Sequence, residues 1–327
     1  MFDIITFGSA TKDIFLISDN FKIVGEKKFV TGQGICLSLG SKIDVDDVYF
    51  SIGGGGTNTA ATFANQGLKV AFCGMIGKDT SGEEVIRELK RFKIDTSFVR
   101  KTEKKITNHS IVLASVGKER TILVFRGAAG ELTKNDIPWQ KLKAGWFYLA
   151  PLSGKLSQLT ETLVNFAQKQ GTKVAFNPGN SQLSLPKKQL ERILKKVDVL
   201  ILNQEEASLL TKIPYKKEKE IFRKLDKIAP GICIMTKGPE GVMVSDGRYL
   251  YKAKSLNVNP LDWTGAGDSF ASGFVSGLIQ SKGKIEYAVQ LAMANSAACL
   301  KKLGAKEGLL KKGDKWPKVK VKKEKCR

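Results

Sequence analysis

Two glycine-rich segments, about 200 residues apart, could each bring a ligand against bare backbone. The later one runs Asp262-Trp263-Thr264-Gly265-Ala266-Gly267-Asp268-Ser269-Phe270 and leads into the helix-like ASGFVSGLIQ. A chain that turns into a helix leaves its first-turn N–H groups unpaired at the positive end of the helix dipole, and together these form an anion site. Gly265, Ala266 and Gly267 carry almost no side chain, so a phosphoryl group can approach them closely. Asp268, in the same turn, is expected to stay ionised in that field and to accept a hydroxyl proton beside the phosphate. Taken alone, the segment reads first as a capping aspartate after a glycine turn.

The earlier segment, Gly53-Gly54-Gly55-Gly56-Thr57-Asn58, follows a strand-like run and opens TAATFANQG. Its glycines allow close approach, and Asn58 offers a donor and an acceptor to a polyol. It matches neither G-x-x-x-x-G-K-[ST] nor G-x-G-x-x-G, so P-loop and dinucleotide readings lose support. A tight turn would explain it alone.

The elements around these segments alternate. Strand-like runs lie at Asp3–Gly8, Val70–Met75, Trp146–Ala150, Lys173–Asn177, Asp198–Asn203 and Gly231–Lys237. Helix-like stretches lie between them at Gly56–Gly67, Ser81–Phe92, Lys155–Gly171, Lys187–Lys196, Glu205–Leu210 and Lys217–Ala229. Such alternation implies right-handed crossovers and an α/β fold with a mainly parallel central sheet flanked by helices. The continuous apolar runs VDVLIL and GICIMT predict strands covered on both faces. Two stretches break the rhythm: 21–50, with several β-like pieces, and 97–125, with three alternating strands (SFVRK, NHSIVLAS, ERTILVF). They are expected to form a small inserted β lid from about 14–50 and 97–127. The body is expected to occupy 1–310, followed by a solvated basic tail at 311–327.

Composition narrows the chemistry. The 327 residues include one histidine, His109, so multi-histidine metal sites are excluded and proton transfer falls to a carboxylate. Five scattered cysteines without a CxxC pair argue against a disulfide framework or thiolate metal site and fit a reducing cytoplasm. There is no apolar run of membrane-spanning length, and MFDIITFG, with an acid at position 3, does not read as a signal peptide. The net charge is +22, and nine Lys/Arg against Asp314 and Glu324 lie in 311–327. The basic residues lack interleaved aromatics and a binding motif, so no specific nucleic-acid partner is expected. Non-specific binding to nucleic acid stays as the alternative of a different class.

Together the two glycine segments resemble the signatures of the ribokinase-like (phosphofructokinase-B) family of carbohydrate and nucleoside kinases, over about residues 1–308. The resemblance implies an ATP-dependent kinase that phosphorylates a hydroxyl of a sugar or nucleoside, with Asp268 as base and the Gly265–Gly267 amides as anion hole. It also implies that Asp13, Gly54, Gly55 and Asn58 hold the acceptor. Asn203 and Glu206, in Asn203-Gln204-Glu205-Glu206, resemble the N-x-x-E motif that organises Mg²⁺ through water. Thr236, Gly238 and Gly241 resemble the turn beside the nucleotide, and Asn295 sits where relatives place a residue near the adenine. Asp262, Thr264 and the turn at Gly304 resemble a loop that holds K⁺. Gly55 stands where ribokinase carries a lysine, so the acceptor stays open between sugar and nucleoside, and Trp263 replaces the usual small residue of the cation loop. Lys237 and Arg126 add charge nearby, and the lid edges could pair a second copy into a homodimer.

Overall fold

The computed structural model describes residues 1–25, 32–114 and 120–326, so parts of the expected lid at 26–31 and 115–119 lie outside the described residues. In chain order the first strands are β1 (Phe2–Phe7), β2 (Thr11–Ile17), β3 (Lys22–Gly25), β4 (Gln33–Cys36) and β5 (Asp47–Gly53). Next come β6 (Val70–Gly77), β7 (Val99–Thr102), β8 (Asn108–Ala114), β9 (Thr121–Phe125) and β10 (Ala144–Leu149). The series ends with β11 (Lys173–Phe176), β12 (Val199–Asn203), β13 (Ile232–Thr236), β14 (Val242–Ser245), β15 (Tyr249–Ala253) and β16 (Lys322–Lys325).

Ten of these strands form one sheet in the order β16-β15-β14-β13-β12-β11-β10-β1-β6-β7. Strands β13 through β7 in that order are parallel, and β14, β15 and β16 extend the other edge antiparallel. Successive strand residues point to opposite faces, so Ile5 and Phe7 enter one apolar layer while Ile4 enters the other. One layer is closed by the helices Thr160–Lys169, Lys187–Leu194 and Glu218–Ile228 through Leu163, Ile193 and Leu225. The other is closed by Gly55–Asn65, Thr80–Arg91, Ala266–Gln280 and Ile285–Cys299 through Phe63, Leu89, Phe274 and Val289.

A separate four-stranded sheet, β5-β2-β8-β9, is the lid. Its burial alternates along β2, where Thr11, Asp13 and Phe15 face inward, and along β8, where Asn108, Ser110 and Val112 do. The stretch SFVRK belongs elsewhere. Val99–Thr102 pairs parallel with β6 as the last strand of the main sheet, because Phe98 is buried in the main core and anchors it there.

The tail also differs from its expected solvation. Val319 is buried against the second apolar layer, and Trp316 stacks edge-on against Tyr287 with ring centroids 6.0 Å apart. Lys322–Lys325 pairs with β15, and Lys312 N donates to Asn65 O at 2.8 Å. The lysine-rich composition hid a strand held by backbone pairing, by the apolar anchors Val319 and Val321, and by contacts of Lys323 with Tyr249, Tyr251 and Glu286 and of Glu324 with Lys252. Deleting 314–327 is therefore expected to lower Tm by a few degrees, since burying one valine is worth about 1.5–3 kcal/mol before the lost ladder is counted. An unchanged thermal midpoint would return the segment to solvent.

Candidate active site

The two glycine segments meet at the ends of their helices. Asn58, on the first turn of Gly55–Asn65, donates from Nδ2 to Asp268 Oδ2 at 2.8 Å. Asp268 lies on the first turn of Ala266–Gln280 and is half-buried, and the protein packed around it desolvates its carboxyl and pushes it above the usual range. The Asn58 hydrogen bond and the nearby Lys306 charge oppose that rise. Burial is the largest of these influences on Asp268. Its other oxygen borders Gly55, where an added Cβ would stand 3.5 Å from Oδ1.

The lid supplies Asp13. The register of β2 and β8 sets it opposite Ser110, whose hydroxyl donates to Asp13 Oδ1 at 2.5 Å. Gly53 matters here, because a Cβ would fall 1.9 Å from Asp13 Oδ2; only a glycine lets the carboxylate lie on the backbone. Burial raises the Asp13 carboxyl, against the pull of Ser110 and Lys306. Gly54 caps the helix that follows.

On the other side of Asp268, Gly265 adopts φ 77° and caps Ala266–Gln280. Ser269 N is the first helix amide bonded back to it, at 2.8 Å, and the space beside Gly267 is open. These amides end a cleft of about 400 Å³ whose walls include Thr236, Gly238, Gly241, Trp263, Phe270 and Met293. An apolar-walled cleft that ends at a helix N-terminus suits a nucleotide, base inward and phosphates at the amides.

Asp262 is buried and shapes the turn: Oδ1 accepts from Thr264 N at 2.9 Å and Thr264 Oγ1 at 2.7 Å, and Oδ2 accepts from Gly304 N at 2.9 Å. With both oxygens holding protein donors, Asp262 fixes the loop, and a monovalent cation there would rely on backbone carbonyls. Asn203 and Glu206 cap the helix Gln204–Thr211 reciprocally, each side chain bonding the other's backbone N–H at 2.8 Å. Asn203 pairs in register with Thr236 of the cleft. The pair fits an outer-shell role toward hydrated Mg²⁺, since Glu206 keeps one oxygen unused by the cap; burial raises its carboxyl, and a nearby cation would oppose that rise.

Asn295 does not reach the cleft. It is fully buried, donates to Ser269 O at 2.8 Å and accepts from Leu310 N at 2.9 Å. The cleft-facing stripe of its helix is Met293, Ser296, Ala297 and Leu300, at the i, i+3, i+4, i+7 spacing, and Asn295 falls off it. Its role is to tie the last helices to the chain beyond them. Lys237 pairs with Glu218 and Glu240, and Arg126 is exposed on the lid. His109 bonds Thr107 O and, across to the helix Thr80–Arg91 of the main body, Ser81.

One residue was missed. Lys306 is 4 % exposed, and its ammonium donates to the Ile52 carbonyl and, at 2.9 Å, to Asn58 Oδ1. Burial lowers its pKa to about 8, with the Glu88, Asp13 and Asp268 charges opposing. In a chain with 54 Lys/Arg, nothing in KKLGAKEG distinguishes it.

Among the described residues no group of three or more His, Cys, Asp or Glu could hold a metal, and no helix is long and apolar enough to cross a membrane. Residues 23–312 match the pfkB family carbohydrate kinase. A ribokinase of Haemophilus influenzae is 27 % identical over 276 residues, 83 % of this chain and 88 % of its own. The fold matches an Arabidopsis thaliana ribokinase solved with ribose and ATP at a TM-score of 0.78, covering 95 % and 96 % of the two chains at 20 % identity. A nucleoside kinase of Methanocaldococcus jannaschii matches at a TM-score of 0.75, 18 % identity, and 95 % of each chain. With nearly its whole length matched, this chain belongs to the pfkB family of carbohydrate kinases.

Proposed function

We propose that this ATP-dependent carbohydrate kinase moves the γ-phosphoryl group of ATP to a hydroxyl of a sugar or sugar-like molecule, with Asp268 as the general base. The observation that carries the reading is the placement of Asp268 between the anion-binding amides of its own helix and the acidic floor of the lid. Asn58 occupies Oδ2 of Asp268, leaving Oδ1 beside Gly55 for the acceptor hydroxyl. As that proton moves to Asp268, the new alkoxide bonds to the γ-phosphorus and the bond to ADP breaks. The amides at Gly265–Gly267 then face the charge that spreads over the transferring group. Asp13, held by Ser110, binds other acceptor hydroxyls, and lid closure excludes water as a rival acceptor.

Mg²⁺ bound with ATP would neutralise phosphate charge. Glu206→Ala is then expected to raise the Mg²⁺ concentration needed for half-maximal rate several-fold while the acceptor KM stays within about two-fold, as for a water-mediated contact. An unchanged Mg²⁺ titration would detach Glu206 from the metal. The acceptor itself is open to a screen of ATP turnover with ribose, deoxyribose, fructose, fructose 6-phosphate and adenosine. Running it in K⁺ and in Na⁺ tests the Thr264–Gly304 loop, where equal rates would dismiss a potassium requirement. Failure of every acceptor to stimulate ATP turnover would remove the kinase mechanism.

A lid-to-lid homodimer is supported by β9, an edge strand whose residues are all exposed, Ile122, Leu123, Val124 and Phe125 among them. Sedimentation of a monomer at micromolar concentration would reject it.

A further inference from the structure

Lys306 is a buried cation whose hydrogen bonds go to two neutral oxygens, the Ile52 carbonyl and Asn58 Oδ1. Withdrawing an ammonium from water is unfavourable, and a carboxylate partner would be the usual compensation. Here the ammonium instead binds the amide that binds the base. Asn58 has one acceptor and two donors at opposite ends of a planar group. Its Oδ1 meets Lys306 at 2.9 Å, and its Nδ2 meets Asp268 Oδ2 at 2.8 Å. A rotated amide would set N–H against ammonium and oxygen against carboxylate, so both contacts would turn repulsive together. The cation therefore selects one orientation of Asn58, and that orientation puts a donor on one oxygen of Asp268.

The effect continues to the reacting atom. With Oδ2 taken, the carboxylate is held at one rotation and Oδ1 stands on the Gly55 side. Lys306 itself follows Gly304 and Ala305, and Gly304 N is bonded to Asp262 in the loop that leads to the anion site. The same short segment thus sets both the phosphate end and the base. We propose that Lys306 is a positioning residue: it orients Asn58, and through Asn58 it orients Asp268 toward the acceptor hydroxyl. The inference rests on the reading of Asp268 as base.

The test is a double-mutant cycle in the full chain, assayed with ATP and the fastest acceptor of the panel above. Lys306→Met is expected to lower kcat about 10–100-fold, the scale of a small misplacement of a catalytic group. The KM values for ATP and acceptor should stay within about three-fold, because the amides belong to the backbone and Asp13, though it loses the pull of the Lys306 charge, keeps its Ser110 hydrogen bond. In an Asn58→Ala background the same change should cost less than about two-fold, since nothing remains to be oriented. Equal losses in both backgrounds would overturn the proposal, as would a rise in acceptor KM with kcat unchanged, which would make Lys306 a direct acceptor contact. Thermal melting reports whether the methionine variant folds, and Lys306→Gln, with a shorter N–H donor, serves the same cycle if it does not. Asp268→Asn measured alongside separates the two claims. Near-normal turnover there removes the base, whereas an inactive Asp268→Asn with an unimpaired Lys306→Met removes only the positioning role.

Discussion

Asp268→Asn is expected to cut kcat by about 10²–10⁴-fold, the usual worth of a positioned base, while the KM for ATP stays near its wild-type value. The amides proposed to face the phosphate belong to the backbone and survive the substitution. The protein should melt no earlier than wild type, and this separates lost chemistry from lost folding. The sign follows from burial. Desolvation raises the Asp268 carboxyl above 3.8, so the folded state binds that proton more tightly than the unfolded chain does. The ionised form therefore weakens the fold at neutral pH, stability grows as pH falls through the raised value, and a neutral amide avoids the penalty. Activity runs the opposite way. The base must be ionised, so the rate should fall as pH drops through the same raised value, and that acid limb should vanish in the variant. Turnover within a few-fold of wild type would discard the mechanism, and a collapse of Tm would show the residue to be structural.

A pair of alanines divides the two jobs of the anion turn. Gly265 sits at φ 77°, and a Cβ there would lie 2.4 Å from Ala305 Cβ and 2.8 Å from Ala305 Cα. Gly265→Ala thus meets about 1–2 kcal/mol of left-handed strain and about 1–3 kcal/mol of overpacking. The Gly304–Lys306 loop must shift, so denaturation midpoint and kcat/KM should both fall. Gly267 has nothing within 4 Å of its missing Cβ, and it lies inside a helix with ordinary φ. Gly267→Ala should leave stability equal or slightly higher, yet weaken ATP turnover by an order of magnitude or more, because the methyl stands where the phosphoryl group approaches. Equal stability losses at both positions would mean that packing alone requires these glycines. Unimpaired ATP kinetics in Gly267→Ala would move the phosphate elsewhere.

The parallel body was legible because strands such as VDVLIL and GICIMT are apolar throughout and are separated by amphipathic stretches of helical length. Val99–Thr102 was misplaced because an edge strand needs only one covered face, and VRKT then reads like a lid strand. Asn295 was misread for a different reason. A polar residue in LAMANSAACL announces that something binds it but not from which side, and a rotation of 100° per residue separates the cleft from the core. Asp268 and Asn58 stood out in the sequence because each follows a run of bare backbone, whereas Asp13, in GSATKDIF, stood out only through the family resemblance. The structure brings Asn58 against Asp268 as one polar group bonded to the other. Lys306 could not be found from sequence, since its meaning lies in a contact 248 positions away with Asn58.

The order of the large sheet also bears on how the chain is made. After β10 has settled beside β1, each later strand from β11 to β16 adds to the edge that its predecessor has just formed. The outer half of the sheet therefore grows in the order of translation, and no finished strand has to wait for a distant partner. Ribosomes release about 5–20 residues per second, slow beside the ~1–10 μs of hairpin closure. Each exposed edge on this side is therefore open only until the next strand emerges from the tunnel. The other side behaves differently. β1 leaves the ribosome first but must wait for β6 and then β10 to cover its two edges. The proposed base, Asp268, follows β15 in the chain, so the site is assembled only after β1 to β15 have been made.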